Sequence, residues 1–203
     1  MLPSKPVKEQ RALSDEEIGE LLKASSEESR EVWVLFLHTG MRKRELALLQ
    51  WKDVDLVADE IHVRPEVAKS KRGRRIPMSA DVKAILQKRL VAAGDAQSDA
   101  PVLPTIEKRG FYEYVLRTFD RDLEAANIDK VGVHVHALRR TFATRLIRAG
   151  VDPKSVQTLL GHSTLDLTLK LYTDARGMDL KGAVSKLGVL EVKEARPEFR
   201  VVA

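Results

Sequence analysis

The chain has 203 residues, 43% hydrophobic and 32% charged, which fits one globular domain that buries its own core. The lack of cysteine excludes disulfides and thiolate metal sites, and no apolar run approaches the roughly 18 residues of a membrane span, so we expect a soluble, cytoplasmic protein with no membrane partner. Lys and Arg number 35 against 30 for Asp and Glu, and basic residues cluster at 42–44, 69–75 and 139–148, a distribution that favours a polyanionic partner.

The N-terminal half predicts helices followed by a β-hairpin. Residues 1–12 are polar, contain two prolines and indicate a linker or arm. Ser14 and Glu17 have capping-box spacing, which predicts a helix over DEEIGELLKA, and further helices are expected at about 28–38 and 42–50. EIHVR and RRIPM alternate like strands, and the basic segment KSKRG between them fits an exposed hairpin tip.

The C-terminal half predicts helices and a tail. Ser79 caps a helix that runs to about Val91, and a loop-like stretch follows to Lys108. Further helices are expected at about 110–126, 137–149, 153–161, 164–173 and 178–187, and the tail at 188–203 has no clear period. The predicted fold class is therefore α+β: mainly α, with a small antiparallel β-hairpin or sheet near residues 60–77.

Several residues suit phosphate chemistry, although each is weak evidence alone. His136 and Arg139 are three residues apart, so a helix presents an imidazole and a guanidinium on one face. His162 stands in a Leu-Gly-His turn, and Tyr172 follows ten residues later. Arg42 begins a helix, where a cation opposes the helix dipole, and such a local conflict hints at function.

Three segments occur in a fixed order: TGMRKRELALLQWKDVDL, KSKRGRRIPMS and HALRRTFATRLIRAGVDPKSVQTLLGHSTLDLTLKLY. Together they resemble the tyrosine recombinases (phage integrases, Cre-type and Xer-type recombinases) over about residues 12–187. The resemblance implies a catalytic domain at 13–187 with the tyrosine recombinase fold. It also implies six catalytic positions: Arg42, Lys69, His136, Arg139, His162 and Tyr172. Lys71 lies in the same hairpin tip and is the alternative to Lys69.

The resemblance implies phosphoryl transfer on double-stranded DNA. Tyr172 attacks the scissile phosphate and forms a 3′-phosphotyrosyl link, while Arg42 and Arg139 hold the non-bridging oxygens. Lys69 protonates the leaving 5′-oxygen. Because the covalent link retains the energy of the phosphodiester, we expect no cofactor and no metal.

The two histidines have different implied roles, and the assembly is also implied. His136 accepts the tyrosine proton, whereas His162 hydrogen-bonds the phosphate. Members of the family act as tetramers on synapsed DNA, so we expect a monomer or weak dimer when free, with 188–203 as a possible inter-subunit segment. Full-length members usually have an N-terminal DNA-clamping domain, and we expect this chain to be a fragment that lacks it.

Other functions remain open from the residues. VDPKSVQTLLGHSTLDLTLKLY also fits a helix-turn-helix, so a DNA-binding regulator is one alternative. A catalytically silent accessory homologue is another, and type IB topoisomerases share the chemistry. His134 and His136 have metal-ligand spacing, but no third ligand is apparent in the sequence.

Overall fold

The structure, a computed structural model, describes residues 10–103, 110–166, 168 and 169. Its helices are α1 (Asp15–Ala24), α2 (Glu27–Thr39), α3 (Lys43–Ala47), α4 (Ala80–Ala93), α5 (Phe111–Ala125), α6 (Val135–Arg148) and α7 (Pro153–Leu160). A short 3-10 helix, Trp51–Asp53, follows α3. Strands β1 (Val54–Asp55), β2 (Glu60–Val63) and β3 (Arg74–Pro77) form an antiparallel sheet in the order β1-β2-β3. The predicted fold class, mainly α with a small antiparallel sheet, is confirmed.

Local signals in the sequence place several helix ends as predicted. The Ser14 hydroxyl accepts the Glu17 amide at 3.1 Å, and the Glu17 carboxylate accepts the Ser14 amide at 2.8 Å, which completes the capping box. Asp152 caps α7 by accepting the Ser155 amide at 2.9 Å, with Pro153 as the first helical residue. The hairpin is also confirmed, with Ile61 opposite Ile76 in the β2–β3 register.

Two predictions about this region were incomplete or wrong. The helix expected at 42–50 ends at Ala47, because the backbone beyond it bonds to a distant segment: the Trp51 amide donates to the Ala100 carbonyl, and the Val102 amide to the Leu49 carbonyl. Strand β1 was not predicted, since two residues show no alternation and the strand exists only by pairing with β2. Both differences arise from long-range pairing that local pattern does not contain.

The later helices agree with prediction where they are described. The helix expected at 137–149 begins earlier, at Val135, so His136 and Arg139 are both inside α6. Asp166, Thr168 and Leu169 are helical, within the segment expected at 164–173. The helix predicted at 178–187 and the tail at 188–203 lie outside the described residues.

The core is built around α2, which packs against α6, α4 and α1. Trp33 is fully buried, and its indole donates to the Asp122 carboxylate at 2.9 Å while its ring meets Phe119 edge to face. A second, smaller cluster joins α6 to α7 through Phe142, Ile147, Val156 and Leu160 with Ala143. This second cluster fixes the end of α7 against α6, where the predicted site lies. No helix in the described ranges is long and apolar enough to cross a membrane.

Candidate active site

One cavity of about 300 Å³ collects most of the predicted site. It is lined by Gln10, Arg42, Lys69, His136, Arg139, Arg140, Leu160 and His162. Five of the six residues expected to be catalytic are therefore brought together from the start of α3, the β2–β3 loop, α6 and the end of α7. The sixth, Tyr172, lies outside the described residues.

The cavity has a strongly positive lining. Arg42, Lys69, Arg139 and Arg140 are cations, and no Asp or Glu is among the described residues that line it. Each of the three basic clusters in the sequence contributes at least one of these side chains. Lys71 does not line the cavity; it adopts a left-handed backbone conformation, φ 56°, on the same loop.

Arg42 is the N-cap of α3, and Glu45 compensates for the unfavourable position of its charge. The Glu45 carboxylate accepts both the Arg42 backbone amide and its guanidinium, each at 2.9 Å. The same guanidinium also donates to the Gly161 carbonyl at 3.1 Å. The side chain is thus held between α3 and the turn that follows α7.

Arg139 is buried, with 3% of its surface exposed. It donates to two backbone carbonyls, Gly40 and Leu160. Burial and the neighbouring charges of Arg42 and Arg74 lower the pKa of Arg139 to about 9, although Glu45 acts in the opposite direction. The guanidinium stays charged at neutral pH, and an anion entering the cavity would relieve the repulsion around it.

Sequence reasoning missed a buried ion pair between Arg74 and Glu45. The two side chains are 5% and 1% exposed, and the guanidinium donates to both carboxylate oxygens at 3.0 and 2.6 Å. Burial alone would raise the pKa of Glu45, but the hydrogen bonds and charge of Arg74, with bonds from Arg42, lower that pKa to about 2. A signal was available: Arg74 is two residues before the buried Ile76, so strand alternation turns it inward, where an arginine needs a partner.

Three arginines cap the last carbonyls of α7. Arg74 donates to Leu159 at 2.7 Å, and Arg139 and Arg42 bond the next two carbonyls, of Leu160 and Gly161. The final carbonyls of a helix have no partner within it and bear partial negative charge, so guanidiniums both satisfy and neutralise them. The Leu-Gly-His turn is consequently fixed from three directions.

The two histidines are neutral near pH 7. Burial, followed by the charges of Arg139 and Arg42, lowers the pKa of His162 to about 4. The imidazole of His136 is open to the cavity, yet the surrounding protein and the same cations also lower its pKa. His162 Nδ1 lies 2.9 Å from the hydroxyl of Thr168, which is fully buried, and this contact orients the ring. Neutral imidazoles can accept a proton or share a hydrogen bond.

The described part of the chain offers no support for a metal site at His134 and His136. There, no three His, Cys, Asp or Glu side chains converge as a group that could hold a metal ion. His134 is the exposed N-cap of α6, one residue before the helix, and only His136 of the pair lines the cavity.

A sequence model described as the phage integrase family matches residues 11–177, which is most of the chain. The chain belongs to the phage integrase family. A tyrosine recombinase of Thermosipho africanus is 32% identical over 180 residues, covering 86% of this chain and 61% of that protein. The chain thus spans about three fifths of that relative's length.

Solved structures of recombinases share the fold. The crystal structure of XerA recombinase has a TM-score of 0.71 at 28% identity and covers 89% of this chain and 66% of that one. The integrase of transposon Tn1549, in complex with transposon right end DNA, has a TM-score of 0.74 at 23% identity, covering 91% and 68%. The observed architecture is therefore that of tyrosine recombinase catalytic domains.

Proposed function

We propose that this chain is the catalytic part of a site-specific DNA recombinase that cleaves and rejoins strands through a 3′-phosphotyrosyl intermediate on Tyr172. The observation that carries the proposal is the cavity, in which four cations meet two neutral imidazoles with no lining carboxylate among the described residues. A phosphodiester is the anion that this family's chemistry would bring there. A helix-turn-helix regulator would not require Arg42, Lys69 and Arg139 to meet two histidines at one cavity.

In the proposed grip, Arg42 and Arg139 hold the two non-bridging oxygens of the scissile phosphate. Each guanidinium already uses part of its donor set on backbone carbonyls, so its orientation is fixed before DNA binds. Donors fixed in advance stabilise developing charge without reorganisation, which is the largest contribution in many phosphoryl transfers. No metal ion or nucleotide is needed for this step, because the guanidiniums supply the positive charge.

Proton transfer in the proposed mechanism uses the remaining lining residues. His136 accepts the Tyr172 proton as its oxygen attacks phosphorus, and the bond to the 5′-oxygen breaks as Lys69 protonates that oxygen. Neutral His162 shares a hydrogen bond with the phosphate. Lys69 is preferred to Lys71 because only Lys69 lines the cavity. The assignment of Tyr172 rests on its spacing from the Leu-Gly-His turn.

Partners and assembly follow from the same proposal. Double-stranded DNA is the substrate, in the cytoplasm, and contacts from the basic clusters to phosphates would position the duplex without reading its sequence. We infer a monomer or weak dimer in the absence of DNA and a tetramer on two synapsed duplexes. Two assignments stay predictions: an arm at residues 1–12 and an inter-subunit segment at 188–203. Close to the end of the predicted arm, Arg11 forms an ion pair with Glu17 at 2.7 Å.

The test is covalent capture of DNA without metal or nucleotide. The chain is incubated with nicked duplexes of randomised sequence in EDTA and without ATP, and adducts are separated on a denaturing gel. We expect adducts at the same yield as in Mg²⁺, since Arg42, Arg139 and Lys69 supply the charge. Loss of all adducts on chelation, with recovery on adding Mg²⁺, would show that a metal ion carries the chemistry.

A further inference from the structure

Arg74 makes a set of contacts that the proposed reaction does not use. Both terminal nitrogens bind Glu45, and its Nε donates to the Leu159 carbonyl. The side chain is 5% exposed and does not line the cavity. With all three nitrogens engaged by the protein, Arg74 is not placed to touch a phosphate there.

These contacts connect the elements that supply the site. Arg74 begins β3, directly after the loop that carries Lys69. Its partner Glu45 holds Arg42, and its second partner, Leu159, precedes the two carbonyls that Arg139 and Arg42 bind. One guanidinium therefore links the lysine loop, the start of α3 and the turn before His162.

The turn also packs directly on the Arg74 guanidinium. A Cβ at Gly161 would lie 3.0 to 3.3 Å from three atoms of that side chain, so the backbone approaches it as closely as glycine allows. Burying an ion pair gives little net stability compared with apolar residues of the same size, because desolvation offsets the attraction. Net stability alone therefore does not account for the pair.

We propose that Arg74 is a positioning residue, which holds Arg42, Arg139 and His162 in register around the phosphate by joining Glu45 to the end of α7. The inference rests on the proposed function for its catalytic consequence. The positions of Arg42, Arg139 and His162 are a property of the protein without DNA, so this part of the inference can be tested whether or not the chain cleaves DNA.

The experiment compares Arg74→Gln with Arg75→Gln in the full chain. Arg75 is the next residue of β3, and its side chain is 72% exposed and pairs only weakly with Glu60 at 3.4 Å. Both variants remove one positive charge from the same strand. The cleavage rate is measured in single-turnover reactions on nicked duplexes that the wild type captured from the randomised pool, and DNA binding is measured separately. NMR follows the ring signals of His136 and His162 while acid, or inorganic phosphate, is added.

For Arg74→Gln we expect cleavage about 10- to 100-fold slower, the size of effect that misplacement by about 1 Å produces. DNA binding should be no weaker than in the Arg75→Gln control. The pKa of His162 should rise, because the Arg74 charge is one of those that depress it, and the ring shifts caused by phosphate should differ from those of the wild type. A residue that only adds stability would lower Tm and leave the cleavage rate and the phosphate shifts unchanged in the folded protein, whereas the pKa of His162 would rise in either case because the charge is lost.

The outcomes separate the two proposals. If folded Arg74→Gln matches the control in cleavage rate and in the shifts caused by phosphate, the positioning role is wrong. Weaker DNA binding with an unchanged cleavage rate would also overturn it, because Arg74 would then contact DNA. If the wild type forms no adduct, the proposed function fails, and the NMR titration with phosphate still decides the geometric part.

Arg74→Lys covers the case in which the glutamine variant does not fold. A lysine keeps the charge but cannot fork onto both oxygens of Glu45 and reach Leu159 as well. We expect a folded protein with reduced cleavage rate and intact DNA binding. A folded Arg74→Lys chain that cleaves at the wild-type rate would overturn the proposal.

Discussion

Lys69 illustrates how one residue's role can be isolated. It is exposed on the β2–β3 loop and lines the cavity, whereas Lys71 is on the same loop and does not. If Lys69 protonates the leaving 5′-oxygen, its loss should matter only when that oxygen needs a proton.

We predict that Lys69→Ala cleaves ordinary DNA about 10²- to 10⁴-fold more slowly, the usual contribution of a general acid. A substrate with sulfur at the 5′-bridging position should restore most of the rate, since a thiolate leaves without protonation. Lys71→Ala is the matched control and should cleave both substrates at nearly the wild-type rate. If sulfur restores the rate of Lys71→Ala and not that of Lys69→Ala, Lys71 would be the general acid in place of Lys69.

His162 makes the stability of the fold depend on pH. Its pKa is about 4 in the folded protein, below the usual value of about 6.5 in an unfolded chain. Between these values the unfolded state binds more protons, so the free energy of unfolding falls as pH falls from about 6.5 to about 4 and is fully retained above that window.

We predict that His162 contributes about 1–3 kcal/mol to this loss, allowing for a ring that is only half buried. Urea unfolding of the wild type and of His162→Gln at pH 7.5 and pH 4.5 measures the contribution as a difference between their pH dependences. Equal pH dependence in the two proteins, or a His162 ring that titrates near 6.5 by NMR, would contradict it. His38 and His136, whose pKa values are also lowered, should account for part of the remaining slope.

How much could be predicted from sequence differs between residues of the same site. His136, Arg139 and His162 were predicted as site residues because their spacing and context form a recognisable pattern, and all three line the cavity. Arg74 was only one of several basic residues in a run, and its role depends on Glu45 and Leu159, which are 29 and 85 residues away. Pairings at such separations are properties of the packed fold and leave no local periodicity.

At the scale of elements, Gly40 links the end of α2 to the site. Its backbone is left-handed, φ 60°, and a Cβ there would be 2.4 Å from the Phe142 ring. Its carbonyl accepts a hydrogen bond from Arg139. The glycine thus lets α2 approach α6 at the point where Arg139, one of the two arginines proposed to hold the phosphate, is anchored.

We predict that Gly40→Ala lowers the free energy of unfolding by about 2–5 kcal/mol, combining strained backbone with overpacking against Phe142. Gly19→Ala, in the interior of α1 with nothing within 4 Å of the new methyl, should instead stabilise by about 0.5–1 kcal/mol. Denaturant unfolding measures both. A loss below about 1 kcal/mol at Gly40 would mean that the contact with Phe142 relaxes freely.

The same scale shows where helix signals are overridden. The 42–50 region has helical character, yet α3 stops at Ala47 because Trp51 and Leu49 bond to Ala100 and Val102. Capping boxes and proline signals, by contrast, act within one turn, and those at Ser14 and Asp152 placed their helices correctly. Elements with local causes were predictable, and those ended by distant pairing were not.

At the scale of the whole molecule, the net charge is modest, but the fold concentrates positive charge around one cavity. The chain is only +5 overall, but four cations from three separate parts of the sequence line one cavity. Three arginines also bond the carbonyls at the end of α7. This arrangement supports the proposal that the site holds one phosphate of DNA while a tyrosine attacks it.

The identity of that tyrosine is the central claim. The chain has three tyrosines, at 112, 114 and 172. Tyr112 and Tyr114 are both on α5, and neither is among the described residues that line the cavity. Tyr114 is also half-buried beside Glu28, and burial, followed by the Glu28 charge, raises its pKa, which disfavours the phenolate. By this argument any covalent adduct should be on Tyr172.

The most direct measurement is to locate the DNA link by mass spectrometry after covalent capture on nicked duplexes. We predict a nucleotide attached through a 3′-phosphate to the peptide that contains Tyr172. Tyr172→Phe should fold normally and yield no adduct, while Tyr112→Phe and Tyr114→Phe should yield adducts as the wild type does. An adduct from Tyr172→Phe, or one mapped to any other residue, would contradict the account.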